Sequence, residues 1–127
     1  MFQAHLLDSN ILIGFLNGDR KIIDWIFKRK SANDTLYISF VTAIEVLSLK
    51  TLKDAEIEDV EKFLNSFYQI FINNEIISLA SALRRKHILT LGDAVIAATS
   101  ISRKFVFVTN DKLLTKKVNK FLEVVSI

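Results

Sequence analysis

The sequence predicts an α/β fold, a parallel sheet covered by helices on both faces. Short apolar runs alternate along the chain with stretches of three- and four-residue apolar spacing. Strands that alternate with helices imply crossover connections and hence parallel pairing. The runs Phe2–Leu7 and Phe105–Thr109 (FVFVT) read as buried strands. The 127 residues contain no proline, low-complexity tract, repeat or Gly/Ser linker, so residues 1–127 read as one domain, large enough to hold a core without staples.

Taken in order, Phe2–Leu7 is the first strand. Ser9–Leu16 and Asp24–Lys30 are helices, with Asn17–Gly18–Asp19 the turn between them. Leu36–Phe40, rich in β-formers, is the second strand, and Thr42–Lys53 is helical, with Ile44, Leu47 and Leu49 among its buried positions. Glu58–Phe71 is an amphipathic helix, because Val60, Phe63, Leu64, Phe67, Ile70 and Phe71 recur at helical spacing. Glu75–Ser78 reads as a short third strand, Ala80–Lys86 as a helix, and Asp93–Ile101 as a largely apolar, buried helix. Phe105–Thr109 is the fourth strand, Leu113–Lys117 a helix, and Phe121–Val125 the closing strand. In such a sheet the carboxyl ends of all strands share one edge, where ligands bind.

The chain has no cysteine, which excludes disulfides and thiolate metal sites. The first carboxylate, Asp8, follows an apolar stretch too short for a signal peptide, and no apolar run approaches the ~18 residues of a membrane span, so a cytoplasmic protein with no membrane partner is expected. Apolar residues make up 50% of the chain and Phe alone contributes 10, more than a small core readily absorbs, which hints at a protein interface. The net charge of +3 is unevenly spread. Residues 1–63 hold 8 Lys/Arg against 10 Asp/Glu, and residues 64–127 hold 9 against 4, so the halves carry −2 and +5. A basic half suits a polyanion such as nucleic acid.

Four acids differ in context from the other ten. Asp8 and Asp111 directly follow the first and fourth strands, Glu45 interrupts an apolar helical turn, and Asp93 opens the buried helix. Each has an ordinary structural reading: Asp8 and Asp111 as helix N-caps, and Thr42–Glu45 and Thr90–Asp93 as capping boxes. Asp8, Glu45 and Asp111 follow predicted strands and so collect on one sheet edge, whereas no predicted strand precedes Asp93; carboxylates gathered there repel by roughly 4 kcal/mol per pair at ~4 Å, and must take up protons or hold a cation. An all-oxygen donor set favours a hard ion, Mg²⁺ with Mn²⁺ as substitute, and that ion suits hydrolysis of phosphodiesters.

LLDSNILI, Ala43–Ile44–Glu45, LGDAVIAAT and VTND together resemble the acidic motifs of PIN-domain ribonucleases, most of all the VapC-type toxins, over nearly the whole chain. The resemblance implies a three-layer α/β/α sandwich with a mainly parallel sheet of about five strands. It implies a metal-dependent endoribonuclease acting on RNA, a small antitoxin that inhibits it, and a homodimer. It places Asp8, Glu45, Asp93 and Asp111 as the catalytic, metal-binding acids, with Ser9, Asn10 and Thr109 beside them, orienting carboxylates or touching phosphate. Where many relatives carry an Asp-Phe pair this chain has Leu113–Leu114, so the fourth carboxylate falls to Asp111.

Arg84, Arg85 and Lys86 precede the Asp93 loop, and Lys112, Lys116, Lys117 and Lys120 follow Asp111, so these residues are candidates to grip RNA. His5 and His87 have no partner at metal spacing and read as structural or surface residues; Trp25 and the Phe63/Phe67/Phe71 stripe read as core or interface. The rival to a nuclease is a catalytically inactive RNA-binding or protein-interaction module, which needs no four-acid set. A phosphoryl-accepting signalling domain is a second rival, but it wants paired early acids where His5 stands.

Overall fold

Strands that are covered on both faces are short, apolar and central, and β1 (Ala4–Leu7) is built this way, with His5, Leu6 and Leu7 buried. The structure, a computed structural model, describes residues 3–127; Phe2 of the predicted first strand lies outside the described residues. Along the chain follow α1 (Ser9–Leu16), α2 (Arg20–Ser31), β2 (Thr35–Ser39), α3 (Phe40–Leu47), a single 3-10 turn (Asp54–Glu56) and α4 (Ile57–Leu64). The remainder is β3 (Tyr68–Ile70), α5 (Asn74–Lys86), α6 (Leu91–Arg103), β4 (Val106–Val108), α7 (Lys112–Val118) and β5 (Val124–Val125).

The five strands form one all-parallel sheet in the order β3-β2-β1-β4-β5. The chain steps outward from β1 through β2 to β3, returns across the sheet to β4, and ends at β5. Right-handed crossovers that travel in opposite directions deposit their helices on opposite faces. Alternation within the strands matches this. Leu6 and Phe107 face a core shared with α5, α6 and α7, through residues such as Ile76, Ala94, Ile96 and Leu114. Leu7, Val108, Leu36 and Ile38 face a second core made with α1–α4, through Ile11, Leu12, Ile26, Val46 and Leu64. The predicted three-layer α/β/α sandwich with a parallel sheet of about five strands is therefore the fold observed. No helix among the described residues is long and apolar enough to cross a membrane.

The third strand was misplaced by the sequence reading. Glu75–Ser78 lies within α5, and β3 is Tyr68–Ile70, at the end of what reads as one long helix. Phe67 and Ile70 are buried at a spacing that serves either structure, and pairing of Tyr68–Ile70 with Tyr37–Ser39 decides for the strand. Helix α4 stops at Leu64, and α5 starts behind Asn73, whose side chain accepts the Ile76 N–H at 2.9 Å. Phe71, assigned to the buried stripe, is 68% exposed. Helix α3 also begins earlier and ends earlier than Thr42–Lys53: Ser39 caps it, accepting from the Val41 N–H at 3.2 Å, and Ile44 points outward, 58% exposed. The Thr42–Glu45 capping box does not form, since Thr42 lies inside the helix with its buried hydroxyl unpartnered.

An N-cap asparagine is worth about 1 kcal/mol. Asn73→Ala is therefore expected to lower Tm by about 3–5 °C, measured by thermal denaturation. An unchanged Tm would place the start of α5 elsewhere.

Candidate active site

The strand order reverses between β1 and β4, and the loops that leave these two strands diverge to opposite layers. A crevice opens at such a point, outside the carboxyl ends of the strands. Asp8 leaves β1 there, and Thr109–Asn110–Asp111 leaves β4. The Asp8 N–H donates to the Val108 carbonyl at 2.9 Å, which continues the ladder by one bond into the loops.

Asp8 is 5% exposed and each of its oxygens is occupied. Oδ1 accepts the Ser9 N–H at 2.9 Å; Oδ2 accepts Asn10 Nδ2 at 2.9 Å and the Thr109 hydroxyl at 2.8 Å. Asn10 also donates from Nδ2 to Thr109 Oγ1 at 3.1 Å, and its Oδ1 accepts the Asn110 N–H at 3.0 Å. Thr109 Oγ1 accepts the Asp111 N–H at 3.1 Å. Asn10 thus staples two loops about a hundred residues apart in sequence. Burial raises the Asp8 pKa above its ordinary value, the Thr109 and Ser9 hydrogen bonds pull it down, and the charges of Asp93 and Asp111 push it up again.

Glu45 stands nearly two turns into α3 from its cap Ser39, at the end of the neighbouring strand β2. As a residue it is exposed, yet its carboxyl is partly desolvated, and its pKa is raised first by that burial, then by Asp8 and Asp93, with the Ser9 side chain acting the other way. Asp93 sits in the first turn of α6, its N–H donating to the Thr90 hydroxyl at 3.1 Å, so Thr90 caps this helix, but the reciprocal bond of a capping box, from the Thr90 N–H to the Asp93 carboxyl, is not formed. Asp111 caps α7, accepting the Leu114 N–H on Oδ1 at 3.0 Å. That bond commits one of its two oxygens to the helix.

The acids therefore share one edge and feel one another. Their common field is not answered by basic side chains. The ion pairs among the described residues are Arg20–Asp24, Arg29–Asp34 and Lys62–Glu58, and none involves the four. As the side chains stand, no group of three or more His, Cys, Asp or Glu among the described residues is close enough to hold a metal ion. The ~4 Å cluster is thus corrected to a looser set of mutually repelling carboxylates. The donor chemistry still fits a hard divalent cation: oxygen ligands only, with uncompensated negative charge.

The candidate basic residues divide. Lys112 and Lys116 line a hollow of about 500 Å³ beside Thr109 and Asn110. Arg84 and Arg85 line a groove with Leu91 and Ile77, while Lys86 faces a different hollow with His87. His5 is buried edge-on to Trp25, with ring centroids 5.2 Å apart, and burial lowers its pKa, which keeps it neutral. Phe63 stacks on Phe15 at 4.8 Å and Phe67 meets Phe63 edge-on, so both belong to the core. One polar residue at this edge is not singled out by the sequence: Ser39, fully buried at the end of β2. Its signal is a hydroxyl residue at the strand end, which looks like any N-cap.

The family model of the PIN domain matches residues 5–120. No curated protein sequence matches the chain at a significant level. Among solved structures, the chain is similar to a toxin–antitoxin complex from Klebsiella pneumoniae, at 28% identity and TM-score 0.79 over 95% of each chain. It is similar in fold to VapBC2 from Rickettsia felis bound to a DNA fragment from its promoter, at 19% identity and TM-score 0.82 over 98% of this chain and 99% of that one. The same holds for VapBC-1 from nontypeable Haemophilus influenzae, at 20% identity and TM-score 0.79 over 98% of both.

Because folding raises the pKa of Glu45, its ionised form carries a penalty at neutral pH that disappears as pH falls toward the ordinary carboxylate range. Glu45→Gln is therefore expected to be as stable as the wild type or slightly more so at pH 7 in chelator. The gain should stay below about 1 kcal/mol, since the side chain is solvent-screened, and the gap should shrink as pH falls and close only below the ordinary glutamate value of 4.5. Chemical denaturation at several pH values checks this. A variant less stable than wild type at pH 7 would mean that a partner stabilises the charged carboxylate.

Proposed function

The chain belongs to the PIN-domain family, and on that premise we propose that it is an endoribonuclease dependent on Mg²⁺, with Mn²⁺ as substitute, and the toxin of a toxin–antitoxin pair. The observation that supports this reading best is the environment of Asp8: a buried carboxylate at the strand-order reversal, raised in pKa by burial and by two further acids, with no basic side chain in ion-pair contact among the described residues. Hydrogen bonds from Ser9, Asn10 and Thr109 orient that charge without neutralising it, and a cation would complete its stabilisation.

In this proposal Asp8 and Asp93 would hold the ion, and Asp111, with one oxygen not committed to the α7 cap, would assist from the β4 side. Bound there, a divalent ion supplies an activated water and neutralises charge on the phosphate. Glu45, which holds its proton more tightly than a free glutamate, is suited to take the proton of the attacking water near working pH. Asn10 and Thr109 fix the Asp8 carboxylate in one orientation, and Ser9 bears on Asp8 through its amide and on Glu45 through its side chain. Lys112 and Lys116 contact the RNA backbone beside the crevice. The antitoxin and a second copy of the chain are the proposed protein partners. Support for the former comes from the toxin–antitoxin complex with which the chain shares 28% identity. The looseness of the acid set is what favours the second reading, an inactive PIN-like RNA-binding or protein-interaction module.

RNA cleavage with Mg²⁺, Mn²⁺ and EDTA separates the two. Asp93→Asn is the cleaner variant, because no hydrogen bond to its carboxyl constrains the fold among the described residues. It is expected to reduce Mg²⁺-dependent cleavage at least 100-fold with little change in Tm. Asp8→Asn is expected to abolish cleavage too, but with its oxygen kept on Asn10 and Thr109 its NH₂ would face the Ser9 N–H and lose that bond, so it should also cost about 1–2 kcal/mol. Full activity of purified Asp93→Asn, or equal cleavage in EDTA, would overturn the nuclease reading. Separately, 10 mM Mg²⁺ binding at a millimolar site should raise Tm of the wild type by about 3–5 °C and leave Asp93→Asn unmoved; no rise in the wild type would remove the metal site.

A further inference from the structure

The loop between α5 and α6 meets the far half of α7 around a hollow of about 360 Å³. Four lysines line it: Lys86 from α5, Lys116 and Lys117 from α7, and Lys120 just beyond. All four are exposed, and none forms an ion pair among the described residues. The acids of the basic C-terminal half are Glu75, Asp93, Asp111 and Glu123, and none of them lines the hollow. In the same hollow the rings of His87 and Phe121 lie against each other, centroids 4.8 Å apart and planes tilted by 55°. Phe121 keeps 37% of its surface open.

Four unanswered ammonium groups around one concavity repel one another, and a polyanion relieves that repulsion. An aromatic face among them adds what a small anion or an acidic peptide does not need, a surface on which a nucleobase stacks. Position adds a third element. Helix α7 is capped by Asp111, so Lys116 lies five residues along it, about 8 Å at 1.5 Å per residue. The loop that carries His87 runs directly into α6, which bears Asp93 in its first turn. The hollow is thus tied through both its walls to elements of the acid edge.

We propose that this hollow is a subsite for single-stranded RNA, separate from the acidic crevice, in which the lysines hold backbone phosphates and the Phe121–His87 pair stacks one base. The proposal rests on the nuclease reading for its substrate class. It assigns to Lys86, Lys117, Lys120 and Phe121 the holding of a strand segment beyond the scissile bond.

The test is fluorescence-anisotropy titration of the full chain with a 12-nucleotide single-stranded RNA in EDTA, across a salt series. Lys117→Gln/Lys120→Gln is expected to flatten the slope of log K against log salt by about 1.4, at ~0.7 per phosphate contact on a single strand. Phe121→Leu, which keeps an apolar filling and removes the ring, is expected to weaken binding about 10-fold at every salt concentration, with the slope unchanged. A control pair on α2, Lys21→Gln/Lys28→Gln, should leave the wild-type curve in place. An unchanged slope in Lys117→Gln/Lys120→Gln overturns the subsite, as does displacement of the RNA by polyglutamate at equal charge concentration. The Mg²⁺ cleavage assay distinguishes the two failures. Cleavage by the wild type without a slope change removes the subsite and leaves the nuclease; a slope change without cleavage removes the nuclease and leaves an RNA-binding hollow.

Discussion

The loops after β1 and β4 are joined by one polar knot, Asp8–Asn10–Thr109, and the geometry of the crevice depends on it. A carboxylate that is 5% exposed is costly unless its oxygens are satisfied, and here three donors satisfy them. Those donors come from both loops, so burying Asp8 and fixing the crevice are one event. Asn10 adds a further bond to the Asn110 N–H, and Asn110 in turn accepts the Ile127 N–H at 2.8 Å, which ties the segment after β5 to the same point. The hydrogen bonds alone lower the Asp8 pKa, yet burial and neighbouring acids leave it raised. The knot orients the charge without neutralising it.

The distribution of charge follows from the same topology. Parallel strands bring the residues that follow them to one edge: Asp8 and Asp111 follow β1 and β4 within three residues, and Glu45 follows β2 by nearly two turns of α3. Asp93 reaches the edge by another route: the chain turns after α5, so that α6 begins where its first turn can act on Asp8 and Glu45. Basic residues gather instead on α7 and at the end of α5. A negative crevice beside positive helices matches a substrate that is itself a phosphate backbone with a cation. The basic groups of α7 are all lysines, point charges on long flexible stems, which hold a backbone without demanding a fixed geometry.

Much of the fold was legible because its signals are local. The strands flanking the acids were located within one or two residues, since β-forming runs end where polar residues begin. The exception was β3. A strand of three residues carries no period of its own, and Phe67 and Ile70 continue the helical spacing of α4. Only the partner β2 tells them apart. The true cap of α5, Asn73, was overlooked because Glu75–Ser78 contains two consecutive isoleucines, which favour a strand when read alone. Similarly, Thr42 imitated a cap from inside a helix that Ser39 had already begun.

From the residues alone came the α/β class, the covered parallel sheet and a short list of acids set apart by context, since each is written in spacings of a few residues. Tertiary structure alone decided which strands are neighbours. Pairing of β1 with β4 joins segments about a hundred residues apart, and no local pattern encodes it. That pairing places the strand-order reversal at Asp8, makes Asn10 a bridge, and spreads the carboxylates more loosely than a shared edge suggests. Helix packing likewise separates neighbours in sequence: Arg84 and Arg85 line a groove with Leu91 and Val95 of α6, while Lys86 lines a hollow with Lys116 and Lys117 of α7.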